Sequence, residues 1–327
     1  MRIYSETLRY EDVTSEKTLA LLGSYGLELV LAVRPWQLGE LPSVAKAILD
    51  AKIPLSIWPM LSDEQGRWAS TRNATAFARL MRDVFRALDD GGARPGEMLF
   101  DLEPPFSGAR ALAHGDAHFL RPRNAWGARH RDDAFEAAEN ELAAVVTALH
   151  AHGLGTSSAV WPLVALDGRD ARVWQSLLGT PIDALATERV SVMMYTTILE
   201  GWSRGAIRRP DALALLAAAC ARTAKRWSGR GGISVGCVGT GAFEDEPIYR
   251  GPRDLAEDVA IVRAEGITDI TLFDLGGVLA RPPAEAWLDA FVKPSSAPVI
   301  PASKRVAAAR RLARVATWAL SRAERMF

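Results

Sequence analysis

The chain has 327 residues, 49% of them hydrophobic, with 39 basic and 39 acidic side chains. That length fits two average domains or one large α/β barrel, and the apolar fraction is enough for a sizeable core. Balanced charge argues against nucleic acid as the main partner, and no apolar run reaches the roughly 20 residues of a membrane span. The charged opening MRIYSETLRYED lacks the apolar stretch of a secretion signal, so the cytoplasm is the expected compartment. Cys220 falls in an alanine-rich helical segment and Cys237 in an apolar strand; both are expected to be reduced core residues.

In chain order, short apolar runs alternate with segments of helical periodicity. Strands are predicted at 3–6, 27–35, 53–61, 97–103, 155–162, 190–197, 232–240 and 269–279. Helices are predicted at 15–25, 41–52, 71–89, 132–152, 171–178, 210–228, 251–266 and 283–292. Gly153 closes one of these helices and Pro210 opens another, as their backbone preferences require. Eight strict β/α units imply a parallel sheet closed into a (β/α)8 TIM barrel. No G-x-G-x-x-G follows the first strand, which argues against an open doubly wound sheet.

The barrel should occupy residues 1–293 and a linker rich in proline and serine residues 294–302. Residues 303–327 then read as a basic amphipathic helix. At 100° per residue, Val306, Ala309, Leu312, Ala313, Ala316 and Leu320 share one face. Lys304, Arg310, Arg311, Arg314, Arg322 and Arg325 occupy the other. Packing on the barrel flank is the plain expectation; contact with a membrane surface, or self-association, is the sharper one.

The most informative stretch is MLFDLEPP, residues 98–105. Side chains alternate across a strand, so Asp101 and Glu103 point to one side and Phe100 and Leu102 to the other. The two prolines end the strand. Two carboxyl groups held this close raise one partner's pKa, which keeps a proton available near neutral pH for general acid catalysis. Barrel active sites lie at the C-terminal ends of the strands. The residues expected there are Glu6, Arg34 with Trp36, Trp58, Asp101 with Glu103, Trp161, Tyr195, Thr240 with Glu244, and Asp274. Several aromatic side chains meeting paired acids point to a carbohydrate, whose flat C–H faces stack on rings.

FDLEPP on the fourth strand and VMMYT (192–196) on the sixth resemble the chitinase-like glycoside hydrolases of family eighteen. There the fourth strand ends in D-x-x-D-x-D-x-E and the sixth carries Met-x-Tyr-Asp. The resemblance implies a retaining hydrolase of N-acetylated amino sugars in which the substrate's own acetamido group is the nucleophile. Glu103 would be the general acid, Asp101 would orient the acetamido group, and Tyr195 would hydrogen-bond its oxygen. Trp58, Trp161, Arg34, Trp36, Asp274 and Glu6 would contact substrate. This chain departs from the pattern at Leu99 and Gly96, where the outer aspartates belong, at Thr196 after the tyrosine, and at Phe273, near the usual tryptophan floor.

Other chemistries compete. Family twenty-five muramidases also place D-x-E on strand four, with a further acid on strand one, where Glu6 stands here. A glycan-binding barrel without catalysis is another alternative. His114, Asp116 and His118 form an H-x-D-x-H run with metal-ligand character, and His130 follows. The expectation is nonetheless that neither metal nor cofactor is needed. The glycines of GTGAF (239–243) and LGG (275–277) could cradle a phosphate, or serve only the turns.

Overall fold

In the computed structural model, which describes residues 1–113, 129–168, 172–203, 205–300 and 303–324, the β/α alternation resolves into eight parallel strands. They are β1 (Arg2–Ser5), β2 (Glu28–Val33), β3 (Leu55–Pro59), β4 (Glu97–Leu102), β5 (Gly155–Val160), β6 (Arg189–Met193), β7 (Gly231–Gly236) and β8 (Ile270–Phe273). Each pairs with its sequence neighbour, and β8 closes on β1. The chain is therefore a (β/α)8 barrel with an added C-terminal helix.

Strand alternation sorts the side chains into two compartments. Leu29, Leu31, Ile57, Phe100, Leu102, Val190, Val192, Ile233 and Leu272 face outward into the core shared with the helices. The inward residues stack in layers. At the N-terminal end Arg2 pairs with Glu97 at 3.0 Å and Asp269 at 2.8 Å, and Arg189 pairs with Glu97 and Glu28. Above this ionic plug, Tyr4, Val30, Ala32, Leu99 and Ala159 form an apolar layer, and Tyr4 meets Ser234 at 3.2 Å. The third layer, at the C-terminal ends, carries the candidate chemistry.

The crossover helices lie within a few residues of expectation, but four short helices add to them: Tyr10–Val13, Phe106–Ala113, Thr196–Trp202 and Leu275–Ala280. Two of these shorten predicted strands. The sixth was expected to run to 197 and the eighth to 279, yet helices begin at Thr196 and Leu275. At Leu275 the cause is a cap: the Asp274 carboxylate accepts the Gly277 N–H at 3.0 Å and ends the strand.

The glycines of the seventh and eighth loops serve packing. A Cβ on Gly277 would lie 2.0 Å from Gly239 N and 2.5 Å from Gly239 Cα. Backbone meets backbone there, so nothing can swing aside. Gly277→Ala should destabilise the barrel by about 2–4 kcal/mol, in the range of severe overpacking. Urea denaturation checks this, and an unchanged midpoint would contradict the close approach.

The terminal helix, Lys304–Glu324, lies on the barrel flank. The Trp174 indole N–H donates to Thr317 Oγ1 at 2.9 Å, and Ser303 donates to Asp211 at 2.5 Å. Val306 and Ser321 are buried and Ala313, Ala316, Thr317 and Leu320 half-buried, whereas Leu312, expected on this face, is 71% exposed. The contacting stripe is narrower than the apolar one and centres on Ala313 and Thr317. Arg325 lies outside the described residues. Among the described residues no helix is long and apolar enough to cross a membrane.

Candidate active site

The end of β4 is held from both sides. On one side it pairs with β5, with Asp101 opposite Ala159. On the other, Ala69 acts as a one-residue strand, donating to Asp101 O at 2.8 Å and accepting from Glu103 N at 3.3 Å. The two acids thus project inward from a backbone with little freedom. The Trp161 indole N–H, at the end of β5, donates to Glu103 Oε2 at 2.5 Å.

Burial pushes the Glu103 carboxyl up to about 7, opposed by the Trp161 hydrogen bond. Asp101, 1% exposed, is raised well above the usual carboxylate range by burial and then by the neighbouring Glu103 and Glu6 charges. The interaction within the pair raises Asp101 and lowers Glu103, so Asp101 holds its proton more firmly than Glu103 and the two titrate as a unit. One oxygen of Asp101 (Oδ1) and the Trp58 indole nitrogen are buried without a well-formed hydrogen bond. The two lie close enough for the indole to pull the Asp101 carboxyl down against its burial.

Six of the nine predicted site residues line one cavity of about 290 Å³: Glu6, Trp58, Asp101, Glu103, Trp161 and Tyr195. Tyr195 packs on Phe273 with ring centroids 5.6 Å apart, and Tyr4 lies 5.1 Å from Trp58 and 6.1 Å from Phe273. These rings form the floor. Burial keeps the Tyr195 hydroxyl protonated well past its ordinary range, so it stays a neutral donor. Burial also raises Glu6 to about 7, against the pull of Arg67, whose Nη1 donates to it at 2.8 Å.

The other three predicted residues stand outside this cavity. Arg34 is drawn to Asp63 at 2.5 Å, extending the Glu6–Arg67–Asp63 chain outward, and it stacks over the exposed Trp36 at 4.9 Å. Asp274 is committed to its helix cap. Of the Thr240 and Glu244 pair, both are exposed, and the acid that reaches the cavity is Glu246. Its two oxygens accept the Gly241 and Phe243 N–H groups at 3.0 and 2.9 Å, folding the seventh loop back over the mouth. Periodicity does not extend into such a loop, so nothing in EDEP marks which acid turns inward.

Two further residues escaped the sequence analysis because they lie beyond the third strand's end: Arg67, and Trp68 in the cavity wall. Trp68 belongs to a rim of rings from four loops. Phe243 lies 6.1 Å from Trp68, 5.4 Å from Phe106 in a stacked arrangement, and 6.0 Å from Trp202. The rim narrows the mouth to a pocket. His114, Asp116 and His118 lie outside the described residues. Among the described residues no three His, Cys, Asp or Glu side chains are grouped to hold a metal.

No protein-family model matches the chain, and no curated protein does. Solved structures do. The glycoside hydrolase domain of PgaB (BpsB) from Bordetella bronchiseptica is similar over 90% of this chain and 99% of its own, at 13% identity and a TM-score of 0.52. A chitinase from Chromobacterium violaceum aligns over 89% of this chain and 96% of its own, at 14% identity and a TM-score of 0.49. A 3-keto-D-glucoside 4-epimerase from E. coli aligns over 88% and 95%, at 11% identity and 0.47. The likeness is one of fold.

The departures from the family-eighteen pattern have local explanations. Leu99 sits directly below Asp101 and fills the apolar layer, so the acid beside the pair is Glu6, reached from across the barrel. Thr196 points away from the mouth: it donates to Asp258 Oδ2 at 2.5 Å and accepts from Arg209 at 2.9 Å, within a buried network that includes Tyr249. Phe273 packs with Tyr4 and Tyr195 in the cavity floor.

Proposed function

We propose that the chain is a retaining glycoside hydrolase acting on an N-acetylated amino sugar, with Glu103 as general acid. The observation that carries this reading is the buried Asp101–Glu103 pair, with Glu103 hydrogen-bonded to Trp161 and Tyr195 lining the same small aromatic pocket. When substrate binds, the proton held by the pair passes from Asp101 to Glu103, which donates it to the glycosidic oxygen as the C1–O bond breaks and leaves Asp101 ionised. The acetamido carbonyl oxygen of the substrate bonds to C1, giving an oxazolinium ion. Asp101, ionised, accepts the acetamido N–H, and Tyr195 donates to the acetamido oxygen. Water then gives a proton to Glu103 and attacks C1, the C1–O bond to the acetamido group opens, and the product keeps its anomeric configuration. A pocket of this size admits one sugar ring and a small leaving group, which favours exo action or a small glycoside over a polymer groove.

One observation favours a second reading. Glu6 places a third carboxyl group in the same pocket, as a muramidase-type site on a first strand would. The two readings differ in their need for the acetamido group. Aryl N-acetylglucosaminides and glucosides offered side by side, with the first anomer followed by NMR, should show cleavage of the N-acetylated compound alone and retention. Equal cleavage of both, or inversion, would remove substrate assistance.

A further inference from the structure

The pocket has two unlike walls. Its floor and the β4–β5 side carry the carboxyl groups other than Glu246, the indole N–H groups of Trp58 and Trp161, and the two tyrosines. Its upper wall, from the loops after β6 and β7, is apolar: Ile198, Leu199 and Trp202 on the short sixth-loop helix, with Ala242 and Phe243 from the seventh. Among the described residues lining the cavity there is no Ser, Thr, Asn, Gln, His, Lys or Arg. The polar side-chain groups among these residues are four carboxyl groups, two tyrosine hydroxyls, four indole N–H groups and one buried thiol; the upper wall and rim hold only Glu246 and the indole N–H groups of Trp202 and Trp68. Both oxygens of Glu246 are already occupied by backbone N–H groups.

Glu103 follows β4 two residues beyond Asp101, one step nearer the mouth, so the glycosidic oxygen it protonates divides the substrate at that level. The sugar that reacts lies below, against Asp101 and Tyr195, and the leaving group lies above, against the rim. A second sugar in the upper position would bury several hydroxyls against described side chains that offer only two indole N–H groups and the already bonded Glu246, which costs affinity at most of them. An alkyl or aryl group would fill the same space with ordinary apolar contact. Resting on the glycosidase reading, we infer that the leaving group is an apolar alcohol, so that the substrate is an amphiphilic glycoside rather than an oligosaccharide.

The test is a series of alkyl N-acetyl-β-glucosaminides, from ethyl to octyl, compared with di-N-acetylchitobiose. The alcohols leave equally well, so chain length reports contact alone. The expected kcat/KM rises by about fourfold per methylene until the rim is filled, and octyl exceeds the disaccharide. Trp202→Ala and Phe243→Ala should flatten the rise. A flat series with measurable turnover, or preference for the disaccharide, overturns the inference and leaves the hydrolase intact. Calorimetric binding of the same series separates the other case. Affinity that grows with chain length without any turnover keeps the apolar subsite and removes the hydrolase; no binding by any member overturns both.

Discussion

Glu103→Gln should lower turnover by about 10²–10⁴-fold while substrate still binds, because the amide fills the same space but has no acidic proton to give. The glutamine side chain can still accept the Trp161 indole N–H, so the geometry at the end of β5 should hold. Asp101→Asn should also impair turnover, by a different route: it removes the group that passes its proton to Glu103 and the carboxylate, left by that transfer, that steadies the oxazolinium. The pH profile separates the two roles. In the wild type the rate should fall on the alkaline side, through about pH 7, as burial-raised Glu103 loses its proton. Steady-state kinetics with calorimetry on the Gln variant provides the check. Full turnover in Glu103→Gln, or a flat rate from pH 5 to 9, would remove Glu103 as the acid.

Much of this site follows from two periodicities in the sequence. Once β/α alternation implies a barrel, period-2 alternation on each strand decides which residues face inward, and the last inward residue faces the mouth. Glu6, Trp58, Glu103, Trp161 and Tyr195 all obey that rule, which is why they meet in one cavity. Arg34 and Trp36 show where the rule stops. They follow the final residue of β2, and an ion pair with Asp63 takes Arg34 outward, a choice no strand period encodes. Asp274 fails differently: it sits at a strand end but a helix N-terminus claims it first. Trp68, Arg67 and Glu246 lie on loops whose path depends on tertiary contacts, such as Ala69 docking on β4. Their positions become legible only when the strand they lean on is in place.

The protein should lose stability as pH rises from about 5 to about 8, the reverse of the trend set by carboxylates in ion pairs. Burial raises Glu6 and Glu103 from 4.5 to about 7, and Asp258 and Asp274 from 3.8 to about 6. Asp101 moves in the same direction. A carboxyl group whose folded pKa exceeds its unfolded value binds more protons in the folded state across that interval. Its contribution is complete below the unfolded pKa and disappears as pH climbs through the folded one. For Glu6 and Glu103 the interval corresponds to at most about 3 kcal/mol each, reduced by whatever water enters when they ionise. Asp63 works the other way. Hydrogen bonds from Arg67 and Arg34 hold it down near 2, so its stabilisation is already present above pH 4 and changes little in this range. The maximum should therefore lie near pH 5. Urea midpoints at pH 5.0 and 8.5 test this, with Glu6→Gln and Glu103→Gln each expected to narrow the gap, since a neutral amide has no proton to lose. Glu6→Gln is the sharper variant, because Arg67 keeps Asp63 as its partner and the rim stays paired. An equal or higher midpoint at pH 8.5 would mean that these carboxyl groups ionise without penalty, and Glu103 would then have no reason to hold a proton at neutral pH.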